Sequence, residues 1–202
     1  MLATVAIIGA GPLGRWLALA AARAGFPVLL EDVMPSNLHH AQEFLRLELS
    51  PQAPSPRTPG QGALAGIAFV STIEDAVRQA DLVIDCVPDE LESKLEILWL
   101  LDRMAPPRTV FATPTTRLSI ADLANCTYRP EKCIAIAAEA SALTGNSGGA
   151  LSSEPSAGRR GAEILLRTTA RTAPETVALV RDFWQRLGFT PTFETERVGQ
   201  PE

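Results

Sequence analysis

Short, mostly apolar runs alternate along this chain with longer amphipathic stretches. A short apolar run with turn residues on either side is typical of a strand that is buried on both faces of a sheet. Such runs predict strands at residues 4–8, 28–30, 67–70, 82–87, 109–112, 133–136 and 164–166. The stretches between them predict helices at residues 15–24, 37–49, 73–80, 91–102 and 172–187, and a further helix that starts at 119.

This alternation of strand and helix favours one architecture. Parallel strands joined by helices form a doubly wound α/β sheet with helices on both faces. We therefore expect residues 1–202 to form a single Rossmann-like domain. A Pro-rich stretch at 50–62 and a Ser/Gly-rich stretch at 141–161 predict loops, and the second is expected to be mobile and open to proteases. Ser71 and Glu74 have the spacing of a capping box before the third helix.

A glycine-rich turn follows the first predicted strand. Gly9, Gly11 and Gly14 have the G-x-G-x-x-G spacing, with Pro12 and Leu13 between the last two. The first glycine of this pattern makes a tight turn, the second admits a pyrophosphate to the backbone, and the third lets the helix approach the strand. The amides at the helix start add a partial positive charge. The turn therefore predicts a dinucleotide site, and a glycine turn without a ligand is the alternative.

An acidic residue at the end of the second strand refines that prediction. Asp32 follows Gly14 by 18 residues, which is the position of the carboxylate that accepts the ribose hydroxyls of an adenosine. A carboxylate there repels a 2′-phosphate, so NAD is favoured over NADP. The neighbouring Glu31 is expected to face away from Asp32 because side chains alternate along a strand.

Composition and charge narrow the class of partner. A formal net charge of −5 disfavours a nucleic-acid partner. The apolar start has no basic residues ahead of it and is broken by glycines, and no run is long enough to span a bilayer. The three cysteines lack metal-ligand spacing and suit a reducing compartment. We therefore expect a cytoplasmic protein with no membrane segment and no metal site.

Five segments of the sequence recur together in a known family. They are VAIIGAG at 5–11, DLVIDCVPD at 81–89, APP at 105–107, LSI at 118–120 and RPE at 129–131. In combination they resemble the NAD-binding domain of 3-hydroxyacyl-CoA dehydrogenases over about residues 3–137, and again at the last strand and helix. Members of that family oxidise the 3-hydroxyl of a fatty acyl-CoA by passing hydride to NAD. The resemblance implies NAD as the cofactor, an acyl-CoA ligand and a role in fatty acid metabolism.

The resemblance also implies roles for individual residues. Val87 and Pro88 match the turn that runs past the nicotinamide ribose. Glu90 and Lys94 match the start of the following helix, near the cofactor; the alternative for Lys94 is an exposed helix face paired with Glu90. Thr116 matches a serine that touches the substrate and the nicotinamide, so its hydroxyl is a candidate for the catalytic site.

Several positions depart from the family pattern. Ala137 stands where the family carries its catalytic histidine, the glutamate partner of that histidine falls near Leu165, and Pro114 replaces an asparagine beside the nicotinamide. The two histidines of this chain, His39 and His40, follow the second strand on the adenosine side of the sheet. We expect both to be exposed helix residues.

Two functions remain open at this stage. The family's helical hairpin after the second strand is shortened here, and its all-helical domain has no counterpart in the 202 residues. The first function is an NAD-binding protein with impaired or lost dehydrogenase chemistry. The second is an active dehydrogenase whose base is not the family's histidine; Glu139 is the nearest titratable residue, and a partner chain in an oligomer is another source.

Overall fold

Eight strands form one sheet at the centre of the protein, whose computed structural model describes residues 4–50, 66–138 and 161–196. The strands are β1 (Val5–Ile8), β2 (Val28–Glu31), β3 (Ile67–Val70), β4 (Leu82–Asp85), β5 (Val110–Pro114), β6 (Cys133–Ile136), β7 (Glu163–Thr168) and β8 (Thr190–Thr195). Their order across the sheet is β3-β2-β1-β4-β5-β6-β7-β8. Strands β1 to β6 are parallel, β7 runs antiparallel to β6, and β8 runs parallel to β7.

Helices cover both faces of this sheet. They are α1 (Pro12–Arg23), α2 (Pro35–Glu48), α3 (Ile73–Val77), α4 (Leu91–Met104), α5 (Ile120–Asn125) and α6 (Pro174–Arg186). Alternate side chains of the central strands β1, β4, β5 and β6 enter two separate cores. One core packs under α1, α2 and α6, and the other packs under α3, α4 and α5. The predicted doubly wound Rossmann-like α/β fold is therefore confirmed.

Three local predictions need correction. The helix after β3 is capped by Thr72, not by Ser71, because the Thr72 hydroxyl accepts the Asp75 amide at 3.2 Å. That helix ends at Val77, three residues before the predicted end at 80. Strand β8 was not predicted, since its alternating polar residues and Pro191 do not resemble a buried strand; it lies at the sheet edge, where proline is tolerated.

Other boundaries agree with the pattern of the sequence. Ser119 caps α5 by accepting the Asp122 amide at 3.2 Å, and Pro174 opens α6. Strand β6 has the predicted bounds. The predicted loops lie outside the described residues, apart from the end residues Ser50 and Gly161.

The arginine of the RPE segment at 129–131 has a structural role. The Arg129 guanidinium donates to the Asp102 carboxylate at 2.6 Å and to the backbone carbonyls of Asp102, Ala105 and Pro106. The second Asp102 oxygen accepts the Tyr128 amide at 2.7 Å. This guanidinium therefore holds the C-terminal end of α4 beside the segment that leads into β6, and the planar fork of arginine suits several acceptors at once.

Glycine at position 14 sets the distance between α1 and the sheet. A Cβ atom built there lies 1.8 Å from the Gly9 carbonyl oxygen, which is far inside any van der Waals contact. A Cβ atom built on Gly11 meets nothing within 4 Å, and the φ of Gly11 is −66°, which any residue adopts. The two glycines therefore have different roles, since one permits packing and the other leaves space.

Gly14→Ala is expected to lower the free energy of unfolding by at least about 2 kcal/mol, because the helix must move away from the strand. Gly11→Ala is the matched control and is expected to cost less than about 1 kcal/mol, which is the loss of a glycine N-cap. Urea unfolding of the two variants measures the difference. Equal losses would contradict the close approach of α1 to the sheet.

Candidate dinucleotide-binding site

The connections between the strands change direction between β1 and β4, and the carboxyl-end edge of the sheet at this point is called the crevice below. The connections from β1 lead towards β2 and β3, whereas those from β4 lead towards β5 and β6. Ligands of open α/β sheets bind at such a point, beyond the carboxyl ends of the strands. The turns after β1 and β4 meet there: the Cys86 amide donates to Ile8 O at 2.7 Å, and a Cβ atom on Gly9 would lie 3.2 Å from Cys86 O.

The glycine-rich turn forms one wall of this crevice. Gly9 has a φ of +101°, a conformation that favours glycine, and its amide donates to Glu31 O at 2.8 Å. The space over Gly11 is open, as a pyrophosphate that approaches the backbone requires. Pro12 begins α1, and the amides of Leu13 and Gly14 lie in its first turn, where they have no partner within the helix. This wall therefore fits a dinucleotide phosphate.

Asp32 lies beside the glycine-rich turn and is 8% exposed. Its Oδ2 accepts the Ala10 amide at 2.8 Å, which ties the carboxylate directly to the phosphate loop. Its Oδ1 accepts the Met34 amide at 2.8 Å. The side-chain amide of Asn37 donates to both oxygens, at 3.2 Å and 3.1 Å. The position of Asp32 fits the ribose site, although protein donors already contact both of its oxygens.

Glu31 ends β2 on the opposite face of the sheet. Strand alternation sends Leu30 into the core under α1 and α2, so the Glu31 side chain lies on the side of α3 and α4. Burial, and to a lesser extent the charge of Asp32, raise the pKa of Glu31 from 4.5 to about 7. Glu31 therefore does not share the ribose position with Asp32.

A buried ion pair lies under the crevice. The Lys94 ammonium contacts Asp85 Oδ1 at 2.5 Å, and both side chains are 1% exposed. Burial raises the pKa of Asp85, and the Lys94 charge offsets part of that rise. The alternative of an exposed pair between Lys94 and Glu90 is wrong, because Lys94 points into the sheet at Asp85 while Glu90 stays exposed. Because Lys94 has no solvent-exposed surface, it does not face the crevice in this structure.

The turn after β4 connects to the turn after β5. The Thr116 amide donates to Asp89 Oδ2 at 3.4 Å, and Arg117 donates to Asp89 O at 3.1 Å. Thr116 is exposed, as are Pro88 and Glu90. The second carboxylate oxygen of Asp89, Oδ1, is buried and has no hydrogen-bond partner.

Asp89 thus joins the turns after β4 and β5, and the sequence did not single it out. An acidic residue that directly follows the Val87–Pro88 turn was the available signal.

The positions that the resemblance assigned to a base and its partner are adjacent. Ala137 directly follows β6, and its amide donates to Leu165 O at 2.9 Å across the antiparallel pair of β6 and β7. Both side chains are apolar, and neither accepts a proton. Pro114 ends β5 and is buried, so it does not present a side chain to the crevice.

The two histidines lie elsewhere. His39 and His40 are exposed on α2, as expected, and His39 pairs with Glu43 at 3.5 Å along the same helix. The structure therefore brings the glycine-rich turn, Asp32 and the turns after β4 and β5 together at one edge of the sheet, and it leaves the histidines outside this crevice.

Sequence comparison decides the family. The family model for the NAD-binding domain of 3-hydroxyacyl-CoA dehydrogenase matches residues 4–137. The chain belongs to this family. A probable 3-hydroxybutyryl-CoA dehydrogenase of Bacillus subtilis is 32% identical over 133 residues, which are 64% of this chain and 46% of that protein. NAD is accordingly the cofactor of this dehydrogenase-type domain.

Two further relatives extend the similarity beyond the matched domain. A 5-formyl-3-hydroxy-2-methylpyridine 4-carboxylate 5-dehydrogenase of Mesorhizobium japonicum is 29% identical over 192 residues, which are 95% of this chain and 57% of that protein. The crystal structure of (S)-3-hydroxybutyryl-CoA dehydrogenase from Ralstonia eutropha has the same fold, with a TM-score of 0.78 at 22% identity; the match covers 98% of this chain and 65% of that one. The chain spans about half the length of the curated relatives it matches.

Within residues 4–50, 66–138 and 161–196, no three His, Cys, Asp or Glu side chains are grouped so that they could hold a metal ion. In the same ranges, no helix is both long enough and apolar enough to cross a membrane.

Lys94→Met is expected to destabilise the domain by about 3–5 kcal/mol, because it leaves the Asp85 carboxylate buried without a counter-charge. Adding Asp85→Asn to Lys94→Met is expected to restore much of that loss. Chemical denaturation of both variants measures the effect, and Glu90→Gln on the exposed side of the same helix is the control. A loss in the control as large as that in Lys94→Met would contradict the assigned pairing.

Glu31 is expected to make stability depend on pH. Its folded pKa of about 7 lies above the reference value of 4.5, so its favourable contribution is complete below about pH 4.5 and is lost as the pH rises through 7. The stability of Glu31→Gln relative to the wild type is therefore expected to rise between pH 5 and pH 8 by about 2 kcal/mol. Urea unfolding across this range measures it, and the exposed Glu96→Gln is the control. A difference that does not change with pH would contradict the raised pKa.

Proposed function

We propose that this domain binds NAD in the crevice between β1 and β4 and does not itself supply the base for dehydrogenation of a 3-hydroxyacyl-CoA. The single observation that carries the second part is the pair of apolar residues, Ala137 and Leu165, at the edge of β6 and β7. Family membership supports the first part.

The cofactor half of the proposal rests on the geometry of the glycine-rich turn. The open space over Gly11 receives the pyrophosphate, and the first-turn amides of Leu13 and Gly14 face its negative charge. Asp32 receives the hydroxyls of the adenosine ribose. Gly9 and Pro12 shape the turn, with a positive φ at one and a fixed φ at the other.

The turns after β4 and β5 would hold the nicotinamide end of NAD. Val87 and Pro88 would pass beside the nicotinamide ribose. The exposed Thr116 hydroxyl would face the reacting end of the cofactor. Lys94 contributes from below, since it fixes Asp85 under the turn rather than touching the cofactor itself.

The chemistry half follows from the proton balance of the reaction. NAD, when bound, accepts hydride from the carbon of a secondary alcohol, and the hydroxyl proton must leave at the same time to a general base. An alanine and a leucine have no group that accepts a proton. The Thr116 hydroxyl is a hydrogen-bond donor and acceptor, but it is too weak a base at neutral pH to take that proton. The domain therefore retains the cofactor while dehydrogenase activity is impaired or lost.

An active dehydrogenase is the second candidate. The Mesorhizobium relative is named a dehydrogenase and is similar over nearly all of this chain. In that case the base comes from a residue such as Glu139, which lies outside the described residues, or from a partner chain. Its substrate would be an acyl-CoA or another small hydroxy compound.

The proposed compartment is the cytoplasm. All three cysteines are free thiols. Burial raises the pKa of Cys133 to about 12, so that side chain stays protonated and unreactive at neutral pH. These are properties of structural cysteines in a reducing environment, where disulfides are rare.

NADH titration by calorimetry tests the cofactor site. The wild type is expected to bind NADH in the micromolar range, and Gly11→Asp is expected to weaken binding by more than about tenfold, because its carboxylate enters the space for the pyrophosphate and repels it. Gln79→Asp places the same charge on an exposed residue away from the crevice and is the control. Binding that survives Gly11→Asp, or no binding at millimolar NADH, would overturn the proposed site.

NADH oxidation with acetoacetyl-CoA tests the chemistry. A general base contributes about 10²–10⁴ to the rate of a proton-coupled step, so the wild type is expected to turn over slower than a complete family member by at least that factor. The double variant Ala137→His with Leu165→Glu places a base and its partner at the adjacent positions and is expected to raise turnover, whereas Leu165→Glu alone is not. Wild-type turnover equal to that of the Ralstonia enzyme would favour the active dehydrogenase.

A further inference from the structure

The carboxylate of Asp32 has all of its hydrogen-bonding positions occupied by this chain. It accepts the backbone amides of Ala10 and Met34, one at each oxygen and both at 2.8 Å. It also accepts Asn37 Nδ2 at both oxygens, at 3.2 Å and 3.1 Å. A carboxylate offers about four acceptor positions. A ribose diol therefore cannot bind Asp32 as it stands; one of these donors must leave first.

The three donors differ in how easily they leave. The Ala10 amide belongs to the glycine-rich turn, and Ala10 is 2% exposed. The Met34 amide belongs to the backbone that opens α2, where Met34 is the N-cap residue. Asn37, by contrast, is an exposed residue in the first turn of α2, and its side chain moves by rotation of two torsion angles. Only the Asn37 side chain can leave Asp32 without moving the backbone.

Asn37 also occupies the position that a vicinal diol needs. Its NH2 group bridges Oδ1 and Oδ2 at nearly equal distances, so it contacts the carboxylate on the edge between the two oxygens. The 2′- and 3′-hydroxyls of a ribose approach a carboxylate in the same way, with one hydroxyl at each oxygen. The amide and the diol are therefore alternative donors for one acceptor edge.

We propose that Asn37 occupies the ribose-diol position of Asp32 in the free domain, and that the adenosine ribose of NAD displaces it on binding. This inference rests on the proposed NAD site and adds a residue that sets its affinity. The cofactor must break both contacts of Asn37 before it forms its own. This cost lowers the binding free energy that the ribose contacts to Asp32 contribute. A ligand without a complete diol replaces only one of the two contacts, so it gains less free energy from displacing the amide.

Calorimetric titration with three ligands tests the proposal on the wild type, Asn37→Ala and the control variant Ser36→Ala, which changes the exposed neighbour in the same helical turn. The ligands are NADH, ADP-ribose and an ADP-ribose analogue that lacks the 2′-hydroxyl of the adenosine ribose. Asn37→Ala is expected to tighten NADH and ADP-ribose binding by about threefold to tenfold, in line with the loss of one or two competing hydrogen bonds. The deoxy analogue is expected to change less than about twofold, and Ser36→Ala is expected to change nothing.

A structural readout accompanies the affinities. The side-chain amide resonances of Asn37, assigned in ¹H–¹⁵N spectra by their loss in Asn37→Ala, are expected to shift when ADP-ribose is added and to stay in place with nicotinamide mononucleotide. The second ligand has no adenosine ribose and serves as the control for binding elsewhere in the crevice.

The outcomes separate the two proposals. If the wild type binds NADH and Asn37→Ala binds it more weakly or equally well, Asn37 does not compete with the ribose. The proposed NAD site would then stand without that role for Asn37. An equal gain for ADP-ribose and its deoxy analogue would also overturn it, since the effect would not depend on the diol. Absence of NADH and ADP-ribose binding by both the wild type and Asn37→Ala would overturn the proposed NAD site together with the role of Asn37.

Discussion

The approach of α1 to the end of β1 is the constraint on which the rest of this structure depends. The helix begins at Pro12, four residues after β1 ends, and Gly14 lies so close to the Gly9 carbonyl that no side chain fits between them. This contact aims the first turn of α1 at the crevice between β1 and β4. It also holds the Ala10 amide where Asp32 accepts it at 2.8 Å, so the glycine-rich turn and Asp32 are fixed by one piece of backbone.

Two ion pairs hold α4 against the rest of the domain. Lys94, near the start of the helix, binds Asp85 under the turn after β4. Asp102, near its end, binds Arg129 and thereby the segment before β6. Such pairs contribute little net stability compared with apolar residues of the same size, but they penalise any arrangement that separates the partners. Their effect here is to fix the position of α4 against β4 and against the segment that leads into β6.

The crevice has an unequal composition along its length. The end at the glycine-rich turn has backbone donors, an acidic residue and open space, whereas the paired positions at the end of β6 and on β7 carry the apolar Ala137 and Leu165. Cofactor binding and proton transfer use different elements of this fold, so one can persist without the other. Glu31 and Asp32 are separated in a similar way: their adjacent carboxylates lie on opposite faces of the sheet, and burial raises the pKa of Glu31 to about 7.

The sequence by itself determined the layers of the fold and the cofactor loop, because both depend on local patterns. Short apolar runs specify buried strands, and the spacing of Gly9, Gly11 and Gly14 specifies a turn that leads into a helix. Tertiary structure alone decided which polar groups meet. The i,i+4 spacing of Glu90 and Lys94 left a surface pair open as one alternative. Lys94 instead pairs with Asp85 on β4, because a buried carboxylate without a partner costs more than an exposed pair contributes. In the same way, the spacing after β2 predicted a ribose-binding role for Asp32, but only the fold of the α2 start brings Asn37 onto both of its oxygens. Long-range contacts of this kind leave no periodic signal in a single sequence, since they depend on where the sheet and its helices place residues that are distant along the chain.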